Sequence, residues 1–382
     1  MIWTLIIIFG LYAILIFSFA IGFLRLNNFK DNSKKHETQF SIIIPFRNEA
    51  KNLPNLLNSI TELKYPSELC EFIFVNDDSI DDSVAIIQKV LDTISQKSEI
   101  NRTDITIIDT IRNSNSPKKD AITTAIKHAK HDWIVTTDAD CLLPKNWLHT
   151  FNSFIQQNNP KMIVAPVNYR TKNSFLHRFQ LLDFMSMQGT TMGGFGIDFP
   201  FMCNGANLAY KKEEFIKLNG FDGNNHIASG DDVFLFEKFI ENDKKSVRFI
   251  KSKEAIVSTF PVNSWVDLIN QRVRWAAKTG NFKSIRVKLI GLLVLVINLS
   301  ILFSFLGAVF QQISYTKPLV LFTFKFVVDL LLFIPTIKFF KQEKSFLQSY
   351  LLSSLIYPFF SSWIIFKSIF SNYQWKGRHF KK

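Results

Sequence analysis

The sequence has few of the residues that define secreted, low-complexity or collagen-like proteins. It contains 3 cysteines, 14 glycines and 12 prolines among 382 residues. The cysteines (Cys70, Cys141 and Cys203) are far apart and form no C-x-x-C pair, which excludes a disulfide framework or a zinc knuckle and fits a reducing compartment. Hydrophobic residues make up 47% of the chain, and phenylalanine alone occurs 40 times. The chain is therefore not disordered, and part of it is predicted to lie in lipid.

Four long stretches carry little or no charge. The first, Ile2 to Leu24, is uncharged and long enough to cross a hydrocarbon core about 30 Å thick. Because no basic residue precedes it, an uncleaved anchor is favoured over a signal peptide. The other three stretches lie near the C-terminal end, at 289–316, 318–337 and 346–366. These stretches predict a protein that crosses the membrane several times.

The charges around these stretches predict domains and their orientation. We expect an N-terminal transmembrane anchor at 1–27, a central domain at 36–285, and C-terminal transmembrane segments with a basic tail at 286–382. Arg25 and the basic residues after it place the central domain in the cytoplasm by the positive-inside rule, at a cytoplasmic (inner) membrane. Four simple spans would send the basic tail outside, against the same rule. Either the segment around Pro358 is a re-entrant hairpin, or one segment lies flat at the interface.

Strands and helices alternate within the central domain. Short β-branched and aromatic runs predict buried strands of a mostly parallel sheet, at 40–46, 71–75, 105–108 and 133–137. Amphipathic patterns predict helices at 49–60, 81–91 and 118–130. This alternation predicts an α/β sandwich, whose ligands bind at the carboxyl ends of the strands. The glycine-containing stretch 189–196 predicts a loop.

The net charge of +13 has an ordinary explanation. Many lysines and arginines flank the apolar stretches, where they face anionic lipid. Clustered basic residues interleaved with aromatics, which a nucleic-acid groove needs, are not found, so we expect no nucleic-acid partner. The sequence also contains no G-x-x-x-x-G-K-[ST] loop, which argues against a P-loop NTPase.

Three acidic pairs occur in the central domain: Asp77-Asp78, Asp138-x-Asp140 and Asp231-Asp232. A single pair at a strand end is usually a turn or a helix cap. Three pairs, two of them directly after predicted strands, would repel one another unless a cation or a hydrogen-bonding ligand lies between them. Carboxylate oxygens are the ligands that Mg²⁺ or Mn²⁺ prefers, often shared with a substrate diphosphate.

A second candidate site is the segment QRVRW at 271–275, just before the C-terminal apolar stretches. The planar fork of arginine makes paired, charge-assisted hydrogen bonds to phosphate, and a tryptophan ring offers a flat face to a sugar. An interfacial helix with arginine and tryptophan at headgroup depth is the alternative. The segment alone does not distinguish the two.

The motifs, taken in order, resemble those of membrane-bound family 2 glycosyltransferases. They are FSIIIPFRNEA, FVNDDSIDDS, PKKDAITTAI, VTTDADC, GANLAY, GDDVFLFEKF and QRVRW. The resemblance covers about 40 to 275 and the flanking membrane segments, and the tail WKGR is similar to that of lipid-directed members. It implies a GT-A fold, a nucleotide-sugar donor of the UDP type, and Mg²⁺ or Mn²⁺ as the cofactor.

The resemblance also implies roles for individual residues. Pro45, Arg47 and Glu49 would line the nucleotide pocket, Asp77 would contact uracil, and Lys118 would lie near the nucleotide. The D-x-D motif and the motif that closes over the diphosphate and the acceptor supply further donor-binding residues, which are Asp138, Gln271, Arg274 and Trp275. The metal would bind Asp138 and Asp140, with Asp140 as the direct ligand, and Asp232 matches the catalytic base.

Two positions depart from the family pattern. The base motif reads Gly230-Asp231-Asp232, where Glu-Asp is usual, which keeps the base but questions the supporting role of Asp231. Asn76 replaces a common aspartate, so Asp77 is expected to carry the uridine contact.

These features predict an inverting glycosyltransferase that moves one sugar to a membrane lipid at the cytoplasmic leaflet. A processive polysaccharide synthase is the nearest alternative, since Q-x-x-R-W also occurs there, although three C-terminal segments are few for a channel. The GDD and D-x-D motifs could also suggest a two-metal polymerase palm, but the basic groove is missing. A non-catalytic membrane scaffold or transport partner is the alternative from another class.

Overall fold

Two compact units make up the chain, each assembled from segments that are distant in sequence. The computed structural model describes residues 2–31, 35–96, 104–225, 227–370, 373–376 and 378–380. The sheet unit comprises Asn27–Arg170 and Met202–Phe260, and the helical unit comprises Met1–Leu26, Thr171–Phe201 and Pro261–Lys382. The helical unit thus joins both predicted membrane regions and also takes in two segments of the predicted central domain.

Strands and helices are numbered along the chain. The strands are β1 (Phe40–Phe46), β2 (Cys70–Asn76), β3 (Asp104–Asp109), β4 (Trp133–Thr136), β5 (Met162–Val164), β6 (Val167–Tyr169), β7 (Leu208–Lys211), β8 (Val247–Phe249), β9 (Val257–Thr259), β10 (Tyr373–Trp375) and β11 (Arg378–Phe380). The helices are α1 (Ile2–Arg25), α2 (Leu53–Thr61), α3 (Ser83–Gln96), α4 (Pro117–His128), α5 (Trp147–Asn158), α6 (Phe175–Gly196), α7 (Lys212–Lys217), α8 (Asp231–Asp243), α9 (Trp265–Ala277), α10 (Ile285–Val309), α11 (Thr316–Phe340) and α12 (Glu343–Phe370).

A seven-stranded mixed sheet forms the core of the sheet unit, in the order β3-β2-β1-β4-β7-β5-β8. Strands β3, β2, β1 and β4 are parallel, whereas β7 runs antiparallel to both β4 and β5. The predicted strands correspond to β1 to β4, and the predicted helices to α2, α3 and α4. Strands β1, β2 and β4 are almost wholly buried, as expected of parallel strands covered on both faces, while β3 lies at the edge and is partly exposed. The α/β prediction with a mostly parallel sheet is confirmed.

Four helices of the described residues are long and apolar enough to cross a membrane. They are Trp3–Arg25, Ile285–Val309, Thr316–Phe340 and Glu343–Phe370. Helix α12 continues through Pro358 for 28 residues, so the re-entrant hairpin considered for this segment is wrong. The WKGR tail lies partly outside the described residues, which do not include Gly377. Its Trp375 ends β10 and its Arg378 begins β11, and these two strands form an antiparallel pair. The cytoplasmic orientation of the central domain stays a prediction.

The predicted loop at 189–196 is wrong, because these residues form the last two turns of α6. Glycine there permits close approach between helices and does not break the helix. A Cβ added at Gly193 or Gly196 would lie closer than 3.0 Å to three backbone atoms of α1, those of Phe19 and Gly22 respectively. Small residues that let two helix backbones touch are typical of membrane helix pairs.

A histidine pair holds the segment that precedes β1 in the sheet unit. His36 Nε2 lies 2.7 Å from His149 Nδ1, and His149 Nε2 lies 2.7 Å from Asp31 Oδ2. Burial, and then the neighbouring His149, lower the pKa of His36, with Asp31 acting in the opposite direction. The unfolded chain therefore binds a proton at His36 more readily than the folded protein.

This pKa shift predicts a loss of stability in acid. Above the ordinary histidine pKa of about 6.5 both states leave His36 neutral, and as the pH falls below that value the unfolded state gains the proton first. We expect the thermal midpoint to fall more between pH 7.5 and pH 5.5 in the native chain than in His36→Gln, by on the order of 1–2 °C. Thermal scans of both proteins at the two pH values measure this; equal shifts would contradict it.

Candidate active site

The order in which successive strands are added to the sheet changes direction between β1 and β4. From β1 the chain adds β2 and β3 on one side and then places β4 on the other side of β1. Pairing between β1 and β4 ends at Ile43 and Thr136, with one further bond from the Thr137 N–H to the Ile43 carbonyl. Pro45 lies two residues beyond Ile43, where its missing N–H breaks no bond to β4. A crevice at the carboxyl ends of parallel strands, at such a switch point, is where α/β proteins bind ligands.

The loops after β1 and β2 are tied together by Arg47. Its guanidinium donates to the backbone carbonyls of Asp77 and Asp78, at 2.6 Å and 2.7 Å. Glu49 is 8% exposed, its N–H donates to Ser83 Oγ, and its carboxylate accepts from Asn52. Arg47 and Glu49, both predicted to line the nucleotide pocket, thus lie just beyond the carboxyl end of β1 and bond to neighbouring segments.

Asp77 is almost fully buried at the end of β2 and forms an ion pair with Arg112. The Arg112 guanidinium also lies 3.4 Å from a carboxylate oxygen of Asp78 and 3.8 Å from one of Asp120. No role was predicted for Arg112, although it follows the predicted third strand closely and so carries the same positional signal as Asp77. The uracil contact assigned to Asp77 stays a prediction.

Replacing Arg112 with methionine is expected to destabilise the sheet unit by about 1–3 kcal/mol, because the nearly buried Asp77 carboxylate loses its cation. The double variant Arg112→Met/Asp77→Asn removes that charge and is expected to recover part of the loss. Denaturant unfolding of the wild type, both single variants and the double variant measures the coupling. Strictly additive losses would contradict the pairing.

Lys118 lies between carboxylates from two further segments. Its Nζ is 2.6 Å from Asp138 Oδ1, just after β4, and 3.2 Å from Asp231 Oδ2, in the first turn of α8. Burial opposes the charge on Lys118, but Asp138, Asp231 and then Asp232 outweigh it and raise its pKa above the usual range. The lysine therefore stays protonated and allows like charges to lie close together.

Asp232 is held against the turn that precedes β7. Its Oδ2 accepts a hydrogen bond from the Gly205 N–H at 3.2 Å. A side chain at Gly205 would press on Asp231 and Asp232, with a Cβ 3.2 Å from an atom of each, so glycine keeps this approach open. Both aspartates lie in the first turn of α8. The structure thus places five of the predicted site residues near the carboxyl ends of the parallel strands. They are Arg47, Asp77, Lys118, Asp138 and Asp232.

The D-x-D segment forms a tight turn at these strand ends, in which the Cys141 N–H donates to the Asp138 carbonyl at 3.1 Å. Within the described part of the chain, no three His, Cys, Asp or Glu side chains group together as a metal site. Asp138 and Asp140 nevertheless supply the hard oxygen atoms that Mg²⁺ or Mn²⁺ prefers. Such ions commonly bind one or two carboxylates and take their other ligands from phosphates and water. The residues present therefore fit a divalent cation shared with a diphosphate.

The residues of the QRVRW segment lie on α9, in the helical unit. Gln271, Arg274 and Trp275 have the i, i+3, i+4 spacing of one helix face. Arg272, for which the sequence predicted no role, is buried, pairs with Asp183 and contacts both Gln271 and Trp275.

Comparison with solved structures identifies the fold class. The mannosyltransferase PcManGT from Pyrobaculum calidifontis, solved in complex with GDP-Man and Mn²⁺, matches with a TM-score of 0.55 and 15% identity over 94% of each chain. At this identity the likeness concerns the fold alone, which is the GT-A fold of glycosyltransferases.

Family models then identify the family. The model for glycosyl transferase family 2 matches residues 41–217, and the model for glycosyl transferase family group 2 matches residues 133–366, more than half of the 382 residues. The chain belongs to glycosyltransferase family 2. It is therefore an enzyme, and the scaffold and polymerase alternatives do not hold.

Curated relatives are similar over part of their length. Poly-beta-1,6-N-acetyl-D-glucosamine synthase from Staphylococcus epidermidis is 23% identical over 243 residues, 62% of this chain and 53% of the synthase. Poly(ribitol-phosphate) beta-N-acetylglucosaminyltransferase TarS from Staphylococcus aureus is 26% identical over 126 residues, 33% of this chain and 20% of TarS. The chain thus spans at most 53% of these relatives, and their substrates do not carry over to it directly.

Proposed function

We propose that the enzyme transfers one sugar, with inversion, from a UDP-sugar to a membrane lipid at the cytoplasmic leaflet. The observation that carries the proposal is the group of carboxylates around Lys118, where Asp138 and Asp231 lie within 3.2 Å of one ammonium at the switch point of the sheet. A partly buried cation with acidic neighbours at the carboxyl ends of parallel strands is suited to a ligand that carries its own negative charge and a metal.

The donor is proposed to bind across the ends of β1, β2 and β4. Pro45, Arg47 and Glu49 line the nucleotide pocket, with the buried Asp77 carboxylate accepting from the uracil N–H. Lys118 lies near the nucleotide and can donate to a phosphate oxygen in place of one of its present carboxylate partners.

Mg²⁺ or Mn²⁺ is proposed to bind Asp140 and Asp138. When bound, the cation would stabilise the negative charge that develops on the departing diphosphate. Arg274 of α9 supplies a guanidinium for the same charge, and Gln271 and Trp275 complete the motif that acts on the diphosphate and the acceptor. These three roles rest on the family motif.

Asp232 is proposed to take the proton from the acceptor hydroxyl as that oxygen attacks the anomeric carbon. A hydroxyl is a weak nucleophile, so a general base within hydrogen-bond reach is needed. A single base opposite the leaving group leads to one displacement and to inversion. Asp232 lies in the first turn of α8, where its Oδ2 accepts from the Gly205 N–H.

The lipid acceptor is supported by the four helices that are long and apolar enough to cross a membrane. The amphiphilic acceptor of such an enzyme stays in the bilayer and presents its polar head at the interface. The positive-inside rule, applied to Arg25 and the basic residues that follow α1, supports a catalytic domain on the cytoplasmic side.

A processive polysaccharide synthase is the second candidate function. It is favoured by the likeness to poly-beta-1,6-N-acetyl-D-glucosamine synthase, which extends over 62% of this chain. The two functions differ in the product made from one donor, a glycolipid or a long polymer.

A product assay separates the two functions. The full chain, reconstituted in membranes with Mn²⁺, is supplied with a panel of radiolabelled nucleotide sugars and extracted membrane lipids. We expect label from one UDP-sugar in an organic-soluble glycolipid. Label in a high-molecular-weight polymer would support the synthase instead, and transfer from none of the donors would contradict both.

A further inference from the structure

Two oppositely charged side chains are buried against each other in the helical unit. Arg272 of α9 donates from Nε to Asp183 Oδ2 of α6 at 2.6 Å. Their side chains are only 6% and 9% exposed. Both residues lie in one compact unit, so this contact joins α9 directly to α6.

Arg272 also contacts two members of the motif on its own helix. It donates from Nη1 to the side-chain oxygen of Gln271, and its guanidinium lies over the Trp275 ring, 4.2 Å from the centroid. The Trp275 ring lies 6.5 Å from that of Phe184, the residue after Asp183. Gln271 and Trp275 are therefore oriented through Arg272, and Arg272 through α6.

Stability alone gives no reason for this arrangement. Removing two charges from water costs about as much as their attraction returns, and apolar residues of similar volume often stabilise a protein as well or better. What an arginine–carboxylate pair adds is geometry, because its planar fork fixes direction as well as distance. The apolar contacts of α9, such as buried Leu268 and Val273, would hold the helix in place but would not orient Gln271 or Trp275.

We propose that Asp183 and Arg272 are positioning residues for sugar transfer. The pair fixes the rotation of α9 and the rotamers of Gln271 and Trp275, so that this helix face is preorganised for the diphosphate and the acceptor. The inference rests on the proposed role of that face. A misplacement on the scale of 1 Å can cost about a hundredfold in rate, which is the scale of effect expected here.

The test compares Asp183→Asn with Asp267→Asn in the full, reconstituted enzyme. Asp267 is an exposed residue in the first turn of α9, and its carboxylate accepts a hydrogen bond from the Ser264 hydroxyl. The control therefore makes the same aspartate-to-asparagine change on α9. We expect kcat to fall about tenfold to a hundredfold in Asp183→Asn. The Kd for uridine, which lacks the diphosphate, should stay within about twofold, because the proposed nucleoside contacts lie in the sheet unit. Asp267→Asn should keep its kcat.

A second variant protects the test from a folding failure. Asp183→Leu/Arg272→Met replaces the pair by apolar side chains and is expected to keep the thermal midpoint of the wild type, as buried-pair replacements often do. Its kcat should still fall. Normal turnover in this folded variant, or equal losses of kcat and uridine affinity in Asp183→Asn, would overturn the positioning role.

Gln271→Ala and Trp275→Ala separate this proposal from the proposed function. If both keep full turnover, the assigned role of the helix face is wrong and the positioning role fails with it. If both lose turnover while the pair variants do not, the function stands and only the positioning role is overturned.

Discussion

Replacing Asp232 with asparagine is expected to reduce sugar transfer by on the order of a hundredfold or more, within the range of general-base catalysis. The amide keeps the shape of the side chain and can still accept from the Gly205 N–H through its oxygen, so the local structure should persist. It cannot take a proton from an acceptor hydroxyl. Donor binding should change little, because Lys118 pairs directly with Asp138 and Asp231, which remain.

The measurement is turnover with the identified donor, together with titration of UDP in the presence of Mn²⁺. Glu241→Gln is the matched control, since it removes an exposed carboxylate near the other end of α8. Near-normal turnover in Asp232→Asn would exclude Asp232 as the base. A loss of UDP affinity equal to the loss of turnover would assign it to binding instead.

Replacing Gly193 with alanine is expected to separate α6 from α1 and to lower the thermal midpoint by on the order of 10 °C. The added methyl would lie closer than 3.0 Å to the backbone of Phe19, which cannot rotate away as a side chain can. Overpacking a tight contact costs about 1–3 kcal/mol, and this rigid contact should reach the upper end of that range. At about 2–4 °C per kcal/mol, such a loss gives a shift of this size.

Gly10→Ala in α1 is the control for this variant. A Cβ at Gly10 meets no atom within 4 Å, so the helix should gain the usual advantage of alanine over glycine, about 1 kcal/mol. Thermal scans of both variants in detergent, followed by size-exclusion profiles, measure the effect. A Gly193→Ala protein as stable as Gly10→Ala would show that α1 and α6 do not pack through this glycine.

The sheet and much of the candidate site could be predicted because both depend on local patterns. Runs such as FSIIIPF are buried on both faces in a parallel sheet, so they are apolar throughout and easy to recognise. The carboxyl ends of parallel strands meet at one edge of the sheet. The sequence alone therefore predicts that Asp77, after β2, and Asp138, after β4, lie near each other.

Other features depend on partners that no sequence window contains. The role of Arg112 depends on its pairing with Asp77, and that of Arg272 on Asp183, which meets it from another helix. The glycines near the end of α6 were wrongly predicted to form a loop for the same reason. Glycine breaks an isolated helix, but against the backbone of α1 it is the residue that fits.

The sequence by itself determined which residues enter the core, which segments are apolar enough for a membrane, and which carboxylates end the strands, because periodicity and residue type decide these locally. The tertiary structure decided which charges pair, which helix packs against the glycines of α6, and which distant segments form one unit. Those outcomes depend on distances between residues far apart in the chain, and packing alone sets those distances.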